Sequence, residues 1–121
     1  DRVLVDAPCT GLGALRRRPE ARWRRTPGDL AELTALQRRL LTRALEVVRP
    51  GGLVLYVTCS PHLAETEAVV ADVQRLGGRV VPIGECPELD LPPGSIAGPH
   101  LRLWPAEHDT DGMFAALIRR E

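Results

Sequence analysis

The 121-residue chain is poor in aromatic side chains. Two Trp, one Tyr and one Phe make up 3% of it, which argues against a dedicated platform that binds nucleic acid mainly by stacking bases on rings. It also lacks any apolar run near the ~18 residues of a membrane span, and any basic-apolar-small leader, so neither insertion nor a signal peptide is expected. Its three cysteines, Cys9, Cys59 and Cys86, lie far apart, are odd in number and form no Cys-x-x-Cys pair. That excludes a disulfide framework and a zinc-finger pattern as natural readings. We therefore expect a soluble cytoplasmic protein with reduced thiols and no metal. Lysine is absent, and net charge is zero, so bulk charge names no polyanionic partner.

The charge is unevenly spread. Six arginines, Arg16, Arg17, Arg18, Arg22, Arg24 and Arg25, fall in ten residues, interrupted by Pro19 and Glu20 and joined by Trp23. Such a cluster can hold phosphates bidentately and offers one indole for stacking. A solvated loop with ordinary surface arginines is the plain alternative.

Along the chain, apolar patterning alternates between two periods. Val3 to Val5 reads as a strand covered on both faces, as in a parallel sheet. Thr26-Pro27-Gly28-Asp29 reads as a helix start, with Thr26 capping and Pro27 in the first turn. Leu30, Leu33, Leu36 or Gln37, Leu40, Leu41, Ala44, Leu45 and Val48 then recur at helical spacing. Arg49-Pro50-Gly51-Gly52 stops that helix, and Leu53 to Val57 forms a second strand ending in Thr58-Cys59-Ser60. Leu63, Val69, Val70, Val73 and Leu76 mark one face of another helix, closed by Gly77-Gly78. Arg79 to Ile83 is expected to be a strand, residues 84 to 100 irregular, and Gly112 to Ile118 a last strand.

Strand, helix, strand, helix, strand is the order of a doubly wound α/β sheet, whose functional groups collect in the loops beyond the carboxyl ends of parallel strands. Asp6 and Cys9 follow the first strand and Cys59 the second. Because neighbouring strands lie ~4.8 Å apart, all three can face one crevice. A metal site would need further ligands, and Cys86, His62 or His108 stand at no ligand spacing. A redox pair and two buried structural thiols remain open on chemistry alone.

The surrounding residues narrow this. "DAPCTGLGALRRRPEARW" at 6 to 23, "YVTCSPHLAETEAVV" at 56 to 70 and "RLWPAEHDTDGMFAALIRR" at 102 to 120 together resemble the RNA cytosine-C5 methyltransferases, most closely the bacterial small-subunit ribosomal RNA methyltransferase B type. The resemblance implies a Rossmann-like class I methyltransferase sheet, with parallel strands, helical crossovers and a last antiparallel strand. It implies an S-adenosylmethionine-dependent enzyme acting on RNA, in which the Thr-Cys-Ser cysteine, here Cys59, adds to cytosine C6 so that C5 can attack the methyl group. Cys9 of the Pro-Cys loop would assist release, Asp6 would lie on the cofactor side, and Arg16, Arg17, Arg18, Arg22 and Trp23 would meet the RNA. A thiolate is needed at Cys59, and a following helix amino terminus or nearby cations would favour it.

This sequence departs from the family at Ala64-Glu65-Thr66-Glu67, which lacks the frequent Pro and Asn, at Arg22, where Lys is frequent, and at Met113, where an aromatic is common. The family's glycine-rich cofactor loop has no counterpart, since Gly11-x-Gly13 belongs to the Pro-Cys loop. Residues 1 to 121 are therefore expected to be the carboxyl-terminal half of a catalytic domain, unlikely to bind cofactor well alone and prone to self-association through the edge of the first strand. Two other readings stand beside this one. A DNA cytosine methyltransferase would use Cys9 as nucleophile, and a non-catalytic half-domain would bind RNA or a partner through the Arg-rich segment. His62, Cys86, Trp104 and His108 are expected to pack or to face solvent.

Overall fold

The computed structural model describes residues 1–121. β1, Arg2–Asp6, and β2, Leu53–Thr58, run parallel with Val3 opposite Val54 and Val5 opposite Tyr56. A parallel pair needs a long crossover, and Pro27–Val47 supplies it as the 21-residue helix α2, preceded by the one-turn helix α1 at Ala21–Arg24. α2 begins where the capping residues predict. Thr26 Oγ1 accepts from the Asp29 amide, Asp29 accepts from the Thr26 amide, and Pro27 opens the first turn. Its buried stripe is Thr34, Gln37, Leu41, Ala44 and Leu45. At the ambiguous position the polar Gln37 is fully buried, while Leu36 is half-buried and Leu40 exposed.

β2 leads into a 3-10 turn at Leu63–Glu65 and then α3, Glu67–Gln74. The two do not merge, because Thr66 between them has φ −124° and ψ −100°, far from helical geometry. The expected single helix is thus shorter, and the expected apolar face is only partly buried. Val69, Val70 and Val73 enter the core, whereas Leu63 before the break and Leu76 beyond the end are exposed.

Four strands follow. They are β3, Gly78–Val81; β4, Ile96–Ala97; β5, His100–Leu103; and β6, Met113–Arg120. A four-residue helix α4, Pro105–His108, precedes the last. β6 inserts antiparallel beside β2, with Tyr56 opposite Ala116 and Thr58 opposite Phe114. On its other side β6 pairs β3 through Leu117 to Arg120 and β5 through Met113 to Ala115. The sheet order is β1-β2-β6-β5-β4, with β3 also on β6. Parallel strands with helical crossovers and an antiparallel last strand are as expected.

Several boundaries differ from expectation, and the last strand starts at Met113 and runs on past Ile118 to Arg120. β3 stops at Val81 because Pro82 has no N–H to offer a ladder. The stretch 84 to 100 contains the short β4, and β5 was not anticipated because buried Arg102 breaks its apolar pattern. Arg102 tolerates burial with its guanidinium over the rings of Phe114 and Trp104 and one N–H donated to Thr66 Oγ1 at 3.0 Å.

The core lies on one face of the sheet, where Val54, Tyr56, Phe114 and Ile118 meet Leu41 and Leu45 of α2 and the valines of α3. The expectation that β1 is covered on both faces is corrected. Val3 and Val5 pack on this core, but Leu4 points the other way and is 65% exposed. No helix of the chain covers that second face, along which Leu4, Leu55 and Leu117 lie in register. No helix is long and apolar enough to cross a membrane.

Candidate active site

The parallel β1 and β2 end at the same level, so the loops that follow them emerge side by side. Cys9 and Cys59, fifty positions apart, meet there with their Sγ atoms 3.4 Å apart. Both are half-buried. Two thiols this close titrate as a pair in which either sulfur can donate to the other: the contact is the largest influence on both, drawing Cys59 down to about 6 and pushing Cys9, which burial also raises, far up. The direction of both shifts favours the thiolate on Cys59 over one on Cys9.

The cause of this thiolate differs from the expected one. No helix begins at Cys59, because Ser60, Pro61 and His62 are irregular and α3 starts only at Glu67. The cations contribute from the side. Arg17 is close enough to feel the charge of Cys59, while Asp6 and Asp111 oppose the thiolate. Asp6 stands exposed at the end of β1, and its carboxylate enters no ion pair.

A third loop closes the site, the one before β6. The Gly13 amide donates to Cys59 O at 2.9 Å, and Gly13 O accepts from the Gly112 amide at 2.7 Å. One backbone residue thus stitches together all three strand-end loops. A Cβ at Gly13 would fall 2.0 Å from Gly112 O. This glycine is needed for close approach of backbone to backbone rather than for holding a cofactor.

The Arg-rich segment divides in two. Arg16 and Arg17 both donate to Asp111, Arg17 through Nε at 2.9 Å, and together they hold this carboxyl at about 2, Arg17 first. Arg25 Nε donates to Thr10 O at 2.9 Å. Arg18, Arg22 and Arg24 point into solvent, and Trp23 on α1 is 81% exposed with the Arg22 guanidinium 5.2 Å from its ring centroid. Of the expected site residues, then, Asp6, Cys9, Cys59 and Arg17 share one rim with Arg16, and Arg18, Arg22 and Trp23 stand outside it.

Glu65, Gln37 and Asp111 also belong to this place, and none was singled out from the sequence. Asp111 and Glu65 both fall inside the segments that carry the family resemblance, but nothing in the sequence marked either as part of the site. His62 is exposed and its Nδ1 accepts from the Ala64 amide; Cys86 is half-buried away from the pair; His108 bonds the Trp104 amide and Pro93 O. No group of three or more His, Cys, Asp or Glu is arranged to hold a metal ion.

Residues 1–119 match the family model described as 16S rRNA methyltransferase RsmB/F. Over 124 residues the chain is 60% identical to a protein of Mycobacterium tuberculosis named as a methyltransferase, covering 99% of this chain and 26% of that protein. It is 37% identical to the ribosomal RNA small subunit methyltransferase B of Sodalis glossinidius, covering 100% of this chain and 26% of the relative. It superposes on the crystal structure of NSun6 from Pyrococcus horikoshii with SFG at a TM-score of 0.79 and 30% identity, over 97% of this chain and 29% of that one. The chain thus spans 26% of the length of these curated relatives.

Proposed function

The chain belongs to the 16S rRNA methyltransferase RsmB/F family, and on that premise we propose that the whole protein methylates carbon 5 of a cytosine in RNA, ribosomal RNA first, through a covalent adduct on Cys59. Residues 1 to 121 are on this reading the carboxyl-terminal half of the catalytic domain. The observation that carries the reading is the sulfur pair. A C5 methyl transfer needs a nucleophile for C6, and the site offers two sulfurs 3.4 Å apart, of which Cys59 is drawn down toward the thiolate. Attack by Cys59 forms the S–C6 bond and moves electron density onto C5.

S-adenosylmethionine, when bound, supplies the methyl group. Asp6, exposed beside the sulfurs and free of cationic partners, fits an amino group, either of the cofactor or of the cytosine. After transfer the C5 proton must leave and the S–C6 bond must break. On this reading Cys9 assists release, as base once its thiol proton has passed to solvent, or by holding an ordered water that takes the C5 proton. The base must be unpaired or flipped to reach these sulfurs. Arg18, Arg22 and Trp23, standing in solvent, meet the RNA backbone and an unstacked base, while Arg16 and Arg17 present the outer edge of their Asp111 clamp.

The alternative with Cys9 as nucleophile is disfavoured, since the hydrogen bond shared with Cys59 and then burial push its thiol up. The test is a pair of substitutions in the whole protein. Cys59→Ser is expected to abolish methyl transfer to RNA. Cys9→Ser is expected to permit attack and slow release, so that a denaturation-resistant protein–RNA complex accumulates. Undiminished transfer by Cys59→Ser would sink the assignment of nucleophile.

A further inference from the structure

Behind the two cysteines lies a carboxylate that the reaction does not use. Glu65, in the 3-10 turn after β2, is fully buried with no cation against it. Its side chain accepts four hydrogen bonds from three separate segments. Oε1 accepts from the Thr10 amide at 2.7 Å and from Gln37 Nε2 of α2 at 3.2 Å. Oε2 accepts from Thr10 Oγ1 at 2.7 Å and from Ser60 Oγ. Thr10 follows Cys9 and Ser60 follows Cys59, so the residue after each cysteine is tied to the same carboxylate.

Further bonds hold the carboxylate in place. Tyr56 Oη donates to Glu65 O at 2.7 Å, and Gln37 Nε2 also donates to Pro8 O at 2.9 Å, reaching the Pro-Cys loop from the other side. Ser60 Oγ in turn accepts from the His62 amide at 3.1 Å. A buried carboxylate costs more to desolvate than an apolar residue of its size, even when fully hydrogen-bonded. Core filling does not account for it. What it supplies is reach: a single planar group with two acceptor atoms spans the gap between loops that share no ladder.

We propose that Glu65 is a positioning residue, a clamp that ties the residues after Cys9 and Cys59 to one carboxylate and so fixes the separation of the two sulfurs. This rests on the reading of Cys59 as the attacking thiolate, but it is tested without methyl transfer. The Cys9–Cys59 hydrogen bond is the largest influence lowering Cys59, and it survives only while both loops stay in register. If the clamp opens, Cys59 loses this contact and returns toward the ordinary thiol range near ~8.5.

The experiment is the pH dependence of iodoacetamide alkylation of Cys59 in the whole protein, with the modified peptide identified by mass spectrometry. In the unaltered protein the rate is expected to level off above a midpoint near 6. Glu65→Ala removes the acceptor and is expected to move the midpoint up by about one unit or more. Glu65→Gln is expected to keep the low midpoint, because its amide oxygen accepts from the Thr10 and Gln37 N–H groups and its NH2 donates to hydroxyls that can turn. Glu65→Asp keeps the charge and loses the reach, and it carries the test in the same upward direction if Glu65→Ala does not fold. Val73→Ala, which loosens the core without touching the clamp, is expected to leave the midpoint in place. A folded Glu65→Ala or Glu65→Asp with an unshifted midpoint overturns the proposal, and so does an equal shift in Val73→Ala. Loss of methyl transfer in Cys59→Ser bears on the nucleophile alone, so the two readings fail separately.

Discussion

Gly13 shows how one missing side chain organises the site. Its backbone bonds to the loop after β2 and the loop before β6 leave no room for a methyl group. Gly13→Ala is expected to destabilise the chain by about 1–3 kcal/mol, the range for overpacking a tight contact, and to part the cysteine loops. Chemical denaturation read together with Cys59 alkylation checks both, and a neutral effect on both would mean that the loops close by other contacts. Asp111 acts at the same scale. Paired with Arg17 and Arg16, its carboxyl sits at about 2, below the ordinary value, so whatever the pairing contributes is present above pH ~4 and fades as pH falls through ~2. Asp111→Asn is expected to speed tryptic cleavage after Arg16 to Arg18 several-fold, because it removes the shared anchor of Arg16 and Arg17. Unchanged cleavage would mean that the segment is held elsewhere.

Among the elements, α2 was the most legible. Its start rested on Thr26, Pro27 and Asp29, and the structure shows the reciprocal cap these residues form. Thr26→Ala is expected to cost about 1 kcal/mol, measurable as a lowered denaturation midpoint with unchanged slope. The two central strands were equally plain, because runs such as Leu53 to Val57 bounded by Gly and Cys have few alternatives. The second crossover was less so. Leu63 and Leu76 continue the period of Val69, Val70 and Val73, but the Thr66 break and the Gly77 end put both outside the helix. β5 stayed hidden because its burial of Arg102 depends on two rings, one from Trp104 beside it and one from β6, and on an ion pair with Glu67 at the start of α3. Phe114 is one of those rings and is fully buried against Tyr56 and His100. Phe114→Ala is expected to cost about 3–5 kcal/mol, and a cost near 1 kcal/mol would contradict the packing described for β6.

For the whole molecule, the chain has a Rossmann-like methyltransferase sheet whose outer strand is β1 and whose second face carries the Leu4, Leu55 and Leu117 stripe without a helix over it. Binding to RNA, proposed for the whole protein, is expected to weaken as salt rises because arginine contacts to phosphate release counterions. Arg22→Ala is expected to lower the slope of log affinity against log salt by about 1. Arg24→Ala, if it leaves the slope unchanged, would limit the contact surface to the Arg22 and Trp23 side.

By itself the sequence determined the α/β order, the capped crossover, the family and the presence of two cysteines at neighbouring strand ends, because each follows from local periodicity, turn chemistry or short motifs. Only the tertiary structure decided that the Cys9 and Cys59 sulfurs touch, that Arg16 and Arg17 are committed to Asp111, and that Glu65 is buried under the site. Those depend on which atoms meet between segments distant in the chain, and a carboxylate reads the same in sequence whether water or four hydrogen-bond donors surround it.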